Sequence, residues 1–308
     1  TTSVNVNFIS TDSKWLSIKE QCELSVLIKK YKIDVFHATS FVVPYFCSCK
    51  LLVTIHDLNH LVRRKDYKLV HQLYYKMLVI PKLKKAAGVI TVSEYSKKEL
   101  IHKLNVPKEK ISLTYNGISN FNLFSNIEIK KTPKDFIFAL ASHKPHKNTL
   151  TLIRAYTIST VNCCLVLLGT LDKKSKQLVE SYNMAKRKEV IIILPNASDS
   201  FLYELYCRAR VFVFPSFFEG FGLPPLEALA CNTRVISSNT TSMPEILGKW
   251  PIYFDPTSIQ QLTVALDNSH NLGPYSDYEK EEIAEHVKKF SWSVLARKTQ
   301  DVYINCFS

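Results

Sequence analysis

Short apolar runs alternate with stretches of helical period along most of this chain. In the first half, Asp34–Ala38, Leu51–Ile55, Val89–Val92 and Ile111–Tyr115 read as buried strands, too short to form helices of useful length. Residues 16–31, 68–86 and 94–104 between them carry the spacing of amphipathic helices. Ser93 stands where an N-cap for the last of these is needed, with Ser96 and Glu99 in its first turns. Ser119 to Lys134 is polar, has no clear period and reads as an interdomain linker. The pattern then restarts, with strands expected at Phe136–Ala141, Cys164–Leu168, Val190–Leu194, Val211–Phe214, Arg234–Ser237 and Ile252–Phe254 and helices between them. Alternation of this kind predicts an α/β protein with parallel sheets. Two such arrays predict two doubly wound, Rossmann-like domains facing each other across a cleft, 1–125 and 132–290. A last segment, 291–308, places Trp292, Leu295, Ala296, Val302 and Tyr303 at helical spacing. It either caps the second domain or crosses back to the first.

The bulk numbers narrow the class without choosing a function. The chain has 308 residues, 46% hydrophobic and 22% charged, an ordinary globular composition with room for two domains. Its longest apolar runs, such as Val190–Pro195, are far too short to span a bilayer. No signal-peptide pattern opens it, so a cytoplasmic location is expected. The eight cysteines do not form a disulfide framework: Cys163 and Cys164 are adjacent in a strand pattern, and Cys207 and Cys231 sit in helix-like segments. Cys47 and Cys49 flank one serine, the wrong spacing for a zinc knuckle or a redox pair. Free thiols in a reducing compartment are expected. Of the net charge of +13, most lies in front, where residues 1–131 hold 21 Lys and Arg against 10 Asp and Glu. Such a half attracts anionic lipid headgroups or phosphorylated substrates, or is a solvated basic surface; it shows no motif for nucleic acid.

Candidate chemistry concentrates in Phe214-Pro-Ser-Phe-Phe-Glu219-Gly-Phe-Gly222-Leu-Pro-Pro-Leu-Glu227-Ala-Leu-Ala. Gly220 and Gly222 permit a tight turn and close approach of the backbone to a ligand. Pro224 and Pro225 suit the first turn of a helix. The N–H groups and positive dipole end of that helix favour a bound phosphate. Glu219 before the turn and Glu227 inside the helix would reach different parts of one ligand lying across the helix start, such as a diphosphate with a sugar on either side.

This segment resembles the donor-site motif of retaining, nucleotide-sugar-dependent glycosyltransferases of the GT-B fold, family four. The resemblance implies that Glu219 holds the transferred sugar and Glu227 the nucleotide ribose, with Gly220, Phe221, Gly222 and Leu223 lining the donor. It extends over roughly Asp34 to Tyr303. Val53-Thr-Ile-His56-Asp57 is similar to the first-domain strand whose terminal His faces the donor sugar, and Lys144-Pro-His146-Lys147-Asn148 to the loop that supplies a phosphate-binding Lys. Val89–Ser93, Tyr115-Asn-Gly117 and Ser242-Met-Pro244-Glu245 match further landmarks. His56, Glu219 and Lys147 are thus the implied catalytic residues, and Ser142, His146 and Asn196 join the donor-binding set.

The resemblance further implies a nucleotide-diphospho-sugar donor, a saccharide or lipid-linked saccharide acceptor, and a place at the inner face of an anionic membrane. No metal or other cofactor is expected, because the chain has no Asp-x-Asp clamp and Lys147 with helix-start amides would meet the leaving-group charge. Departures are visible too. The family usually has Arg at the place of His146, so Ser142, Lys144 or His146 must compensate. It often has Gly where Ala141 or Asn232 stands. It opens with a strand and a Gly-rich loop, whereas no glycine precedes Gly88 and the first residue is Thr1; the front is read as missing or replaced. Two other readings stay open: a nucleotide-sugar epimerase on the same fold, and a non-catalytic nucleotide-sugar-binding subunit.

Overall fold

A computed structural model describes residues 6–14, 17–66, 69–118, 132–186 and 190–307. The first lobe begins with helix α1 (Ile18–Lys30), then strands β1 (Val35–Ala38) and β2 (Lys50–Ile55). A short α2 (Asn59–Val62), α3 (Leu69–Tyr74) and α4 (Ile80–Lys85) lead to β3 (Gly88–Thr91), α5 (Glu94–Leu104) and β4 (Ile111–Leu113). The four strands pair in chain order, all parallel. Ser93 caps α5 as expected, its hydroxyl accepting the Ser96 N–H at 3.0 Å.

The second lobe runs β5 (Phe136–Ala141), α6 (Thr149–Ile158), β6 (Cys164–Gly169), α7 (Lys173–Lys186), β7 (Ile191–Leu194), α8 (Asp199–Arg208), β8 (Val211–Phe214) and α9 (Leu223–Ala230). It continues with β9 (Val235–Ser238), α10 (Met243–Leu247), β10 (Ile252–Phe254), α11 (Ile259–Asp267) and α12 (Asp277–Val287). Its six parallel strands are ordered β10-β9-β8-β5-β6-β7. The chain builds outward from β5 to β7, then returns to lay β8 on the other side of β5. The switch point lies between β5 and β8, and in open α/β sheets the crevice beyond the strand ends at that point receives ligands. Strands β3, β8 and β9 are buried throughout, which explains why β8 reads as an unbroken apolar run.

The last helix, α13 (Trp292–Phe307), lies on the first lobe. Val302 and Cys306 pack with Leu52 and Ile90, and the Tyr303 hydroxyl is 2.7 Å from His37 Nδ1. Where the chain passes between lobes, the Ile118 N–H donates to the Phe290 carbonyl at 3.0 Å. A methyl group on Gly117 would stand 2.6 Å from the Trp292 nitrogen, so the two crossings run side by side.

The expected strands are present within a residue or two of their bounds. One helix differs. The pattern over 68–86 is interrupted by a π-helical turn at Tyr75–Val79. Pro81, in the first turn of α4, lacks the N–H that the Met77 carbonyl would accept, and the wider turn accommodates its ring. Of the expected linker, residues 119–131 lie outside the described residues.

Candidate active site

Two loops meet at the switch point. After β5 the chain forms a 3-10 turn at Pro145–Lys147 and then Asn148, whose left-handed φ of 56° separates that turn from α6. Lys147 therefore stands just ahead of α6. The buried Asn148 amide donates to the Pro215 carbonyl at 3.0 Å and to the Pro256 carbonyl at 2.9 Å. The Phe217 N–H donates to the His146 carbonyl at 2.8 Å. These bonds clamp the loop after β5 onto the loops after β8 and β10. The clamp brings Lys147 Nζ to 2.8 Å from Glu219 Oε1, with the two side chains 29% and 15% exposed. Lys147 also lies 5.7 Å over the Phe214 ring.

Glu227 lies on α9, whose first turn contains the expected prolines and whose N-cap, Gly222, has the left-handed φ of 104° that its glycine permits. The Tyr206 hydroxyl, buried on α8, donates to Glu227 Oε2 at 3.2 Å. Burial raises the Glu227 carboxyl above the ordinary carboxylate range; Tyr206 opposes that shift and the Asp199 charge adds to it. Tyr206 was not singled out in the sequence, because an apolar-flanked tyrosine carries no local mark of its partner.

Among the remaining donor candidates, Phe221 turns its ring into an aromatic cluster with Tyr115 and Phe290, at 6.2 and 5.7 Å. Leu223 is the first residue of α9. Ser142 is tied back to Thr149 by paired bonds of 3.2 Å. Asn196 is exposed beyond the edge strand β7, two strand spacings or about 10 Å from the end of β5.

His146 cannot replace the missing arginine as a cation. It is buried, and its pKa is pushed down to about 4 by burial and then by the charges of Lys147, Lys144 and Arg63. Of the residues expected to compensate, Lys144 is the charged one. The structure adds Arg63 from the first lobe. Its guanidinium lies 4.9 Å over the Phe217 ring, and its Nε donates to Asp66 at 2.6 Å. At the other departures, Asn232 takes a left-handed φ of 58°, which Asn tolerates better than most residues. Ala141 offers its carbonyl to the close approach of Gly169.

His56, directly after β2, is exposed, and its Nε2 lies 3.0 Å from the Thr39 carbonyl. A carbonyl only accepts, so Nε2 is the donor in this bond. The His56 main chain faces loop 217–221: a methyl group on Gly220 would lie 2.1 Å from the His56 carbonyl oxygen. Loop 217–221 is thus a seam between the lobes. Phe217 lies under Arg63, Phe218 meets the Tyr95 ring at 5.9 Å, Gly220 meets His56 and Asp57, and Phe221 meets Tyr115. Glu219 points instead to Lys147. Among the described residues no group of three or more His, Cys, Asp and Glu is placed to hold a metal ion.

Residues 120–288 match the family model of glycosyl transferases group 1, and residues 3–120 that of glycosyltransferase family 4. The chain belongs to the group 1 glycosyltransferases. It is 27% identical over 299 residues to O-antigen chain mannosyltransferase B of Escherichia coli, covering 90% of this chain and 75% of the relative. It is 26% identical over 274 residues to the O-antigen chain mannosyltransferase RfbU of Salmonella typhimurium, covering 86% and 75%. A glycosyltransferase from Rickettsia africae superposes with a TM-score of 0.72 at 20% identity, covering 97% of this chain and 85% of the other. The Anabaena protein HepE, solved with UDP and glucose, gives 0.65 at 18% identity over 91% and 79%. These neighbours share the GT-B fold, the architecture of the two parallel sheets described above.

Proposed function

We propose that this glycosyltransferase moves a hexosyl group from a nucleotide-diphospho-sugar to a hydroxyl of a saccharide or lipid-linked saccharide, with retention at the anomeric carbon, in polysaccharide or glycolipid assembly. The observation that carries the reading is the Lys147–Glu219 pair at the switch point, one loop ahead of the α9 N-terminus and Glu227. Lys147 and the α9 amides meet the charge that develops on the departing diphosphate, without a metal. Glu219 orients the sugar, Glu227 holds the ribose, and His56 approaches the sugar from the first lobe. The acceptor attacks from the face that the diphosphate leaves. The relatives make mannose the first sugar to test. Incubation with GDP-mannose or UDP-glucose and an acceptor panel, with proton NMR of the product linkage, tests this. An inverted linkage rejects retention; a changed sugar without any acceptor favours the epimerase; nucleotide binding without turnover favours the binding subunit.

The first lobe is proposed to rest on an anionic membrane. Leu69, Leu73 and Met77 recur every fourth residue and are exposed, as are Tyr45 and Phe46, with exposed Lys76, Lys84 and Lys85 nearby in the chain. Among the described residues no helix is long and apolar enough to cross a membrane. Sedimentation with phosphatidylglycerol vesicles, but not with phosphatidylcholine vesicles, is the expected result.

A further inference from the structure

We propose that Glu245 is a positioning residue that couples closure of the lobes to the shape of the donor loop; its catalytic consequence rests on the transferase reading above. Glu245 lies on α10 in the second lobe, and its carboxylate reaches across the cleft. Oε1 accepts the Glu94 N–H at 2.7 Å and Oε2 accepts the Tyr95 N–H at 3.0 Å. These are the first two residues of α5, where helix N–H groups have no partner within the helix and the dipole favours an anion. The charge of the same carboxylate also reaches Tyr115, whose phenol burial and then Glu245 push up to about 12.

The segment that carries Glu245 also grips the donor loop from behind. Thr240 Oγ1 donates to the Phe217 carbonyl at 3.3 Å, and the Glu219 N–H donates to Thr241 Oγ1 at 3.3 Å. Ser242 Oγ donates to the Glu219 carbonyl at 3.1 Å and the Phe221 carbonyl at 2.9 Å. Thr241 is held at a left-handed φ of 57°, an uncommon conformation for a β-branched residue, which the surrounding bonds must impose. Residues 240–245 therefore form a bracket. One side fixes the main chain on both flanks of Glu219, and the other fixes the first lobe through α5. When the lobes part, the carboxylate leaves its two N–H donors; when they close, the bracket presses loop 217–221 against His56 and Tyr95. Glu245 need not touch the donor to do this.

The test compares Glu245→Ala, Glu245→Gln and Tyr115→Phe with the parent. Hydrogen exchange of the peptide that begins α5, and the radius of gyration from X-ray scattering, are read without any substrate. Glu245→Ala should keep the parental circular dichroism, lose protection at the start of α5 and expand the molecule. Glu245→Gln, which keeps one acceptor oxygen, should fall between alanine and parent, and Tyr115→Phe should do less. Turnover with GDP-mannose or UDP-glucose should fall about tenfold or more in Glu245→Ala, with the donor KM changed much less. Unchanged exchange and radius would overturn the latch. Opening with parental turnover would overturn its coupling to the donor loop. If no variant, parent included, turns over any donor, the transferase reading fails while the scattering and exchange results still decide the latch.

Discussion

The ammonium of Lys147 lies 2.8 Å from the carboxylate of Glu219, so the cation proposed for a diphosphate is the ion-pair partner of the anion proposed for a sugar. Each group is held by the other through a cross-loop contact that the Asn148 amide makes rigid. On the proposed reading a leaving diphosphate would share Lys147 with Glu219, and charge complementarity would rise as negative charge grows on the leaving oxygen.

Glu219→Gln should therefore separate binding from turnover. Freed of its partner, Lys147 should bind UDP or GDP as well as the parent does, or several-fold more tightly, while turnover falls by about 10²-fold. Calorimetry beside steady-state rates checks this. Weaker nucleotide binding would mean that Glu219 supports the fold of the loop rather than the sugar.

Glu227 gives a prediction with opposite signs for binding and stability. Burial raises its pKa in the folded chain, so the native state keeps the proton at pH values where the unfolded chain has released it. That contribution to stability is complete below the unfolded pKa and is lost as pH rises through the folded one. At pH 7, Glu227→Gln should melt no lower than the parent, yet weaken nucleotide binding about tenfold or more through the lost charged hydrogen bonds. Parental affinity would remove Glu227 from the ribose. Parental binding should also weaken on acidification as the carboxylate protonates, and the glutamine variant should lack that pH dependence.

His56→Ala should leave nucleotide affinity unchanged and lower turnover by about 10²-fold, as for a positioned catalytic group. Its bond to the Thr39 carbonyl gives it a structural use as well. Parental turnover in the alanine variant would leave only that use.

Gly220→Ala tests the seam. Its new methyl group would meet the His56 carbonyl, which is main chain and cannot swing aside. The lobes should stay apart, with a larger radius of gyration, lost turnover and retained nucleotide binding. A compact, active variant would show that the closed seam is not needed.

The leaving-group charge is assigned to Lys147 and amides, so transfer should persist in excess EDTA. Loss in chelator and rescue by Mg²⁺ or Mn²⁺ would contradict that assignment.

Much of the fold was legible because its signals are local. Buried parallel strands announce themselves as short apolar runs, and Gly220, Gly222, Pro224 and Pro225 mark a turn and a helix start within a few positions. Lys147 and Glu219 were legible only as members of separate motifs; their pairing depends on Asn148 reaching Pro215 and Pro256. Tyr206 beneath Glu227, Arg63 above Phe217 and the reach of Glu245 to Glu94, 151 positions away, have no periodic signature at all. The π turn before Pro81 escaped because hydrophobic spacing reports a helical face, not the register of its carbonyls.

The seam also bears on how such enzymes can diverge. Four of the five residues in loop 217–221 touch the first lobe, while the fifth carries the carboxylate assigned to the sugar. Changes in the two lobes are therefore not inherited independently. A chimera that imports a first lobe from a relative, to recruit a new acceptor, inherits a foreign counterpart to Phe217, Phe218, Gly220 and Phe221. Such a graft should need the matching loop, and residues 240–245 behind it, before the new acceptor is used.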